Sequence, residues 1–291
     1  MSFLLAALLV VSVTGDRTAL INSYANEVRI TSGNTSRVVK TAETPVDARF
    51  AGSDLFVIAR DARRLERFDR NGGRAGIDLA ADPAFIREAG GFLYVYSRLD
   101  GIIQEIDPER FTIRRRAALG PFASDFETDG KNGYLLFPRA AKLISFPLRT
   151  LKEERSTPAG AVPVDMTIVR RGSALSAATI AIADPAARRI WKVEGLQSVS
   201  GAFARGFVRG LLGLGLFAPR NTDFPTGIDR VESRGDVTVA FDSSSGTLYR
   251  LRGTKISIIA TGIDGFALSE GAILITERGA VRRLQTQKTE R

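Results

Sequence analysis

The chain of 291 residues contains no cysteine and no histidine. The first absence removes disulfides, thiolate zinc sites and cysteine nucleophiles. The second removes imidazole ligands and any Ser-His-Asp relay. Catalysis by this chain would have to use carboxylates, lysine, tyrosine or an oxygen-ligated metal. A lack of cysteine does not assign a compartment, since exported proteins without disulfides are common. No segment reaches the roughly 18 apolar residues of a membrane span. Lysine is scarce as well: 7 Lys stand against 34 Arg, with a net charge of +9 and a pI near 10.2. The arginines are spread along the chain rather than gathered into a basic run interleaved with aromatics. They read as an arginine-rich solvated surface and not as a nucleic-acid site, an anionic partner such as lipid headgroups or a polysaccharide being the other reading.

A hydrophobic content of 44% in a chain of this length supplies a large core. The opening MSFLLAALLVVSVTGD carries an apolar run that ends at small residues and has the length of a signal-peptide h-region, although no Lys or Arg precedes it. On that reading residues 1–15 are removed and the mature protein is periplasmic or extracellular. The same residues also read as an inner strand, LLVVSV, followed by a turn and a second strand.

The triplet Pro45-Val46-Asp47 recurs as Pro163-Val164-Asp165, and short apolar runs recur with it: ALINSY, LFVIAR, LYVYSR, YLLFPR, TIAIAD, VTVAFD and AILITE. Each is rich in β-branched and aromatic residues and bounded by Gly, Asp, Asn or Pro, which indicates strands. A turn-led shorter strand precedes most of them, and a charged turn with a third strand follows. Aligning the openings puts Asp47, Phe85, Asp125, Asp165, Gly227 and Asp264 in one column, at separations of 38, 40, 40, 62 and 37 residues. A period near 39 with three or four strands per unit predicts an all-β propeller of antiparallel blades. Seven runs predict seven blades, or six if the first and last units combine. The single domain spans 17–291, with one apolar insertion at about 195–222.

The Pro-led openings at Pro45, Pro83, Pro163 and Pro225, the runs LFVIAR and LYVYSR, and the segment IAIADPAARRIWKV resemble propellers with YVTN or NHL-type repeats. The resemblance extends from about residue 17 to the end. It implies a binding scaffold above all, with lactonases, other hydrolases and lyases as a minority.

In such a propeller Asp47, Asp125, Asp165 and Asp264 stand near one mouth of the channel. They are candidates to bind a ligand or one Ca-like divalent cation, or to cap their own turns. A second column, at the sixth position of each run, reads Tyr24, Arg60, Arg98, Arg139, Asp184, Asp242 and Glu277. Three basic residues followed by three acidic ones suit a zwitterionic or elongated polar partner, or pair with neighbouring loops. Within the insertion, Phe203, Phe207, Leu211 and Leu214 repeat at near-helical spacing. They either pack on the propeller or touch a membrane or partner. Trp191 reads as core. The function expected from these features is an exported, monomeric, non-enzymatic scaffold that binds a protein, peptide or glycan on one face and needs no cofactor. The alternative is a lactonase or gluconolactonase-like hydrolase with a divalent cation at the channel mouth, Asn22 and Asn26 being the amides on hand.

Overall fold

A computed structural model describes residues 9–14, 17–170, 178–194, 221–252, 255–269, 272–277 and 280–285. It divides into two compact units, Met1–Phe122 with Gly262–Arg291, and Ala123–Thr261. Both are built from antiparallel sheets whose strands follow one another in sequence order.

The first unit holds four sheets. Blade 1 is β1 (Leu9–Thr14), β2 (Arg17–Asn22), β3 (Glu27–Ser32) and β4 (Thr35–Lys40). Blade 2 is β5 (Pro45–Ala51), β6 (Asp54–Ala59), β7 (Arg64–Phe68) and β8 (Arg74–Asp78). Blade 3 is β9 (Pro83–Ala89), β10 (Phe92–Ser97), β11 (Ile102–Asp107) and β12 (Thr112–Ala118). In the second unit, blade 4 is β13 (Asp125–Thr128), β14 (Asn132–Phe137), β15 (Lys142–Pro147) and β16 (Arg155–Pro158). Blade 5 is β17 (Asp165–Arg170), β18 (Thr179–Asp184), β19 (Arg189–Glu194) and β20 (Thr222–Asp223). Blade 6 is β21 (Arg230–Arg234), β22 (Val237–Asp242), β23 (Thr247–Arg252) and β24 (Lys255–Ala260). Blade 7 returns to the first unit with β25 (Gly265–Ser269), β26 (Ala272–Glu277) and β27 (Ala280–Gln285). The chain is an all-β, seven-bladed propeller. The first and last units of the repeat are separate blades, and the six-blade alternative does not hold. The expected insertion, with Phe203, Phe207, Leu211 and Leu214, lies outside the described residues. Among the described residues the one helical element is a 3-10 turn at Pro138–Ala140.

Strand composition follows position in the blade. Every residue of β6 is buried, so both its faces need apolar side chains and the sequence is a continuous run. On the outermost strand of the next blade, exposed and half-buried residues alternate along Thr112–Ala118, the period-2 pattern of a strand with one wet face. The cores lie between successive sheets. Ile21, Val28, Phe50, Leu55 and Val57 join blades 1 and 2. Tyr134, Leu143, Met166, Ile180 and Ile182 join blades 4 and 5. Ala183, Ile190, Phe224, Val231 and Tyr249 join blades 5 and 6. Trp191 is half-buried at the rim of the blade 4–5 core. In the first unit β1 runs beside both β5 and β25, and β5 beside β9; in the second, β17 lies between β13 and β21.

Candidate functional site

Register identifies the equivalent residues. The fifth residue of β6, β10, β14, β18, β22 and β26 pairs with the inner strand at Asp47, Phe85, Asp125, Asp165, Arg230 and Gly265, respectively. The column expected from the sequence is therefore right at its first four members. It is displaced at the last two, where Gly227 and Asp264 precede the true positions. β13 and β17 open directly at the aligned aspartate, whereas in blades 6 and 7 the entering loop runs on past the aligned position before the strand begins to pair, at Arg230 and at Gly265. Asp264 instead sits in the turn, where its own N–H donates to Thr276 O at 2.7 Å.

Three of the aspartates in this column have one common geometry. Asp47 Oδ2 accepts the N–H of Ile86, on the next inner strand, at 2.9 Å. Asp125 Oδ2 accepts from Met166 N at 3.0 Å, and Asp165 Oδ2 accepts from Val231 N at 2.7 Å. Each carboxylate thus clips its blade to the one that follows. Such charge-assisted bonds contribute about 1.5 to 3 kcal/mol apiece. The other oxygen of Asp47 and of Asp125 accepts from the following N–H, Ala48 at 2.8 Å and Phe126 at 2.7 Å. Blade 5 adds a second clip, in which Ser233 N donates to Thr167 Oγ1 at 3.0 Å. Burial pushes the Asp47 carboxyl up, against the pull of the Arg87 guanidinium at 3.0 Å and of the Ile86 N–H. Asp165 is pushed up to about 6 by burial, against the Val231 N–H, the Arg230 charge and a hydrogen bond with Asp125, while Glu127 adds to the push. Asp125 and Asp165 therefore form a carboxyl pair beside Arg230 in the second unit. Among the described residues no three acidic side chains converge as cation ligands do.

The second expected column mixes two positions. The residues that open the turn into the third strand are Ala59, Ser97, Phe137, Asp184, Asp242 and Glu277. Arg60 and Arg98 lie one residue beyond that place, Arg139 lies two beyond it, and Tyr24 lies in the turn after β2. The strands start one residue earlier than their apolar runs in blades 2 and 3, which produced the offset. Arg98 forks onto Asp82 at 3.0 and 3.2 Å, and Arg60 contacts Asp61 at 3.3 Å. Asp184 accepts from Ala161 N at 2.6 Å, Ala187 N at 3.0 Å and Trp191 Nε1 at 3.1 Å. Burial opposes its charge, yet these donors hold its carboxyl below the usual range. Asp242 is likewise held low against burial, by the hydroxyls of Ser244 and Ser245 at 2.5 and 2.8 Å. Glu277 stands 3.8 Å from Arg282.

The end of the blades that carries these turns also carries the loops entering the inner strands. In the first unit, Thr44 N donates to Asn26 Oδ1 at 2.9 Å, Arg98 N to Asp82 O at 2.8 Å and Phe122 N to Arg98 O at 2.8 Å. Loops and turns form one surface there, from which Tyr24, Leu99 and Phe122 project with 77%, 54% and 50% of their surface exposed.

No protein-family profile matches the chain, and no curated protein sequence matches it. Solved structures do. Catalytically inactive virginiamycin B lyase from Staphylococcus aureus with quinupristin superposes with a TM-score of 0.72 at 12% identity, covering 98% of each chain. BBS1N in complex with ARL6DN gives 0.68 at 12% identity over 94% of this chain and 88% of the other. BamB from Moraxella catarrhalis gives 0.61 at 10% identity over 97% and 82%. What is shared is the propeller. At these identities the likeness does not reach the YVTN or NHL repeat type, which rests on the segments quoted above.

Sequence reasoning missed the buried polar residues of the third strands. Glu66 accepts the N–H of Ala42 at 2.8 Å, and Gln104, at the equivalent register position, accepts that of Ala80 at 2.8 Å. Both tie down the loop entering their own blade, and a polar residue inside RLERF and IIQEI is the available signal. Glu105, almost fully buried, gathers Arg114 at 3.1 Å, Arg115 and the Tyr94 hydroxyl at 3.2 Å. Tyr94 is pushed up to about 12 by burial first and the Glu105 carboxylate second, against Arg115 and Arg114. Glu105→Gln should return the Tyr94 phenol toward its ordinary range, leaving the part due to burial. Difference titration of tyrosine absorbance, variant against parent, reads this directly. An unchanged curve would remove Glu105 as a cause.

Proposed function

We propose that this chain is an exported, non-catalytic propeller scaffold that binds a protein partner through the loop surface of its first unit. The observation that carries the reading is the trio Tyr24, Leu99 and Phe122, three large apolar side chains held out to solvent on the same end of the first unit, from the turns of blades 1 and 3 and the loop that leaves blade 3. Exposed aromatic and aliphatic groups set among polar turns are the chemistry of interaction sites. The arginines and acids around them are largely paired with one another, so they form a polar rim. Propellers of similar fold stand in protein complexes, BBS1N with ARL6DN among them. The apolar opening of the chain supports export, and cleavage after about residue 15 would remove β1 and leave blade 1 with the three strands β2, β3 and β4.

A cation-dependent hydrolase would draw on Asp47, Asp125 and Asp165, whose Oδ2 atoms already accept the next blade's N–H groups. The virginiamycin B lyase is inactive once a single histidine is replaced by alanine, and this chain has no histidine.

The test is a variant carrying Tyr24→Ser, Leu99→Ser and Phe122→Ser. Crosslinking in the native host followed by mass spectrometry should recover one protein with the parent and lose it with the variant, the two having equal unfolding midpoints. Equal recovery by both would overturn the loop surface as the site. N-terminal sequencing of the protein from cell fractions tests export separately, and an intact Met1 in the cytosol would refute it.

A further inference from the structure

The outermost strand of a propeller blade has one edge without a neighbour in its own sheet, and proteins ordinarily guard such edges with charge, proline or brevity. Four blades here follow that practice. Arg114, Arg115 and Arg116 lie along β12, Arg37 and Lys40 on β4, and Arg74 and Asp78 on β8, while β16 is four residues long and ends at Pro158. The edge strand β24 differs: it reads Lys-Ile-Ser-Ile-Ile-Ala, its first four residues are exposed, and among the described residues β23 is its one strand partner. Ile256 is 37% and Ile258 61% exposed.

Register assigns the two faces of this edge different chemistry. Ile256 pairs with Leu251 and Ile258 with Tyr249. Both partners belong to the apolar core between blades 5 and 6, so the two isoleucines carry that core out to the surface as a ledge. Ser257 pairs with Arg250 and Lys255 with Arg252, which gathers three cations on the opposite face. Among the described residues Arg250 Nε is buried without a hydrogen-bond partner, and burial together with the Arg252 charge works against the Arg250 guanidinium. On that face no acceptor among the described residues answers Arg250 Nε.

We propose that β24 is a docking edge for an extended acidic segment of a partner protein, added as a further antiparallel strand of blade 6. Main-chain hydrogen bonds to the open edge supply affinity. Alternate apolar side chains cover Ile256 and Ile258, and the intervening carboxylates meet Arg250, Arg252 and Lys255. This site stands apart from the loop surface, and its test leaves Tyr24, Leu99 and Phe122 untouched.

The probe is a blocked, fluorescein-labelled peptide of alternating valine and glutamate, read by anisotropy against its valine/lysine counterpart. The parent should bind the glutamate peptide at least about tenfold more tightly than the lysine one. Ile258→Lys, at an exposed position, should lose at least about tenfold for the glutamate peptide. Arg252→Glu, also exposed, should narrow or reverse the preference between the peptides, so that a folding failure of one variant leaves the other to decide. Equal binding of both peptides, or of the glutamate peptide by parent and Ile258→Lys, overturns the proposal. So does self-association of the parent in sedimentation that Ile258→Lys abolishes, which would give the edge to a second copy of the chain.

Discussion

Gly101→Ala should destabilise the protein by about 4 kcal/mol, a large share of a typical domain's total. Gly101 has φ of +65°, in the turn between β10 and β11. The dihedral alone does not account for the size of the effect, since Ala141 holds φ of +48° at the corresponding turn of blade 4 and Arg63 holds +50° in blade 2. A non-glycine residue in that region costs on the order of 1 to 2 kcal/mol. What differs at Gly101 is space: an added Cβ would meet the Gly120 carbonyl carbon at 2.4 Å and the Pro121 nitrogen at 2.5 Å. Both are backbone atoms, so no side-chain rotation relieves the overlap. The Gly101 carbonyl also accepts from Leu119 N at 2.8 Å, and movement away from Gly120 would strain that bond. Chemical denaturation of variant and parent measures the loss. A difference below about 1 kcal/mol would show that the loop at Gly120 yields, against the rigidity argued here.

The second large effect is a change in how stability depends on pH. Asp165 has an ordinary value near 3.8 when unfolded and is pushed up to about 6 in the fold, by burial before all else. The folded state therefore holds this proton more tightly than the unfolded chain does. Its contribution is complete below about pH 3.8 and is lost as pH rises through about 6. Over that window the parent should lose up to about 3 kcal/mol from this group. The carboxylates held low, Asp184 and Asp242, act the other way and in another range: they stabilise above the unfolded value and lose that contribution as pH falls below it. In Asp165→Asn the amide oxygen still accepts the Val231 N–H and the amide nitrogen can donate to Asp125, while nothing titrates. Unfolding midpoints of the variant should be flatter between pH 4.5 and pH 7, and higher than the parent's at the upper end. A variant falling as steeply as the parent would place the titrating proton elsewhere.

The fold was legible because it is written in repeated units. Seven apolar runs at a period near 39 name seven second strands, since a strand buried on both faces requires an unbroken run such as LFVIA. The period reappears in the clips, whose donor and acceptor are 39 residues apart at Asp47 and Ile86 and 41 at Asp125 and Met166. Register was less legible. Composition does not report how far a loop runs before its strand begins to pair, so Gly227 and Asp264 take the places in the sequence pattern that the backbone gives to Arg230 and Gly265. The role of the aspartates was read only in part, because a cap on a turn and a clip to the next blade differ in which N–H arrives from elsewhere in the chain. No local pattern reports that. Glu105 and Tyr94, buried together on adjacent strands, left no signal beyond an acid within an apolar segment.

The clips have a direction. At all three the acceptor belongs to the earlier blade and the donor to the later one. During synthesis the carboxylate side of each joint is made first, by 39, 41 and 66 residues. A newly emerging inner strand thus meets a waiting acceptor, and the most recently completed blade serves as the template for the next. In a chain with the order of its blades reversed, the N–H donor of each joint would be made first and its carboxylate would arrive later.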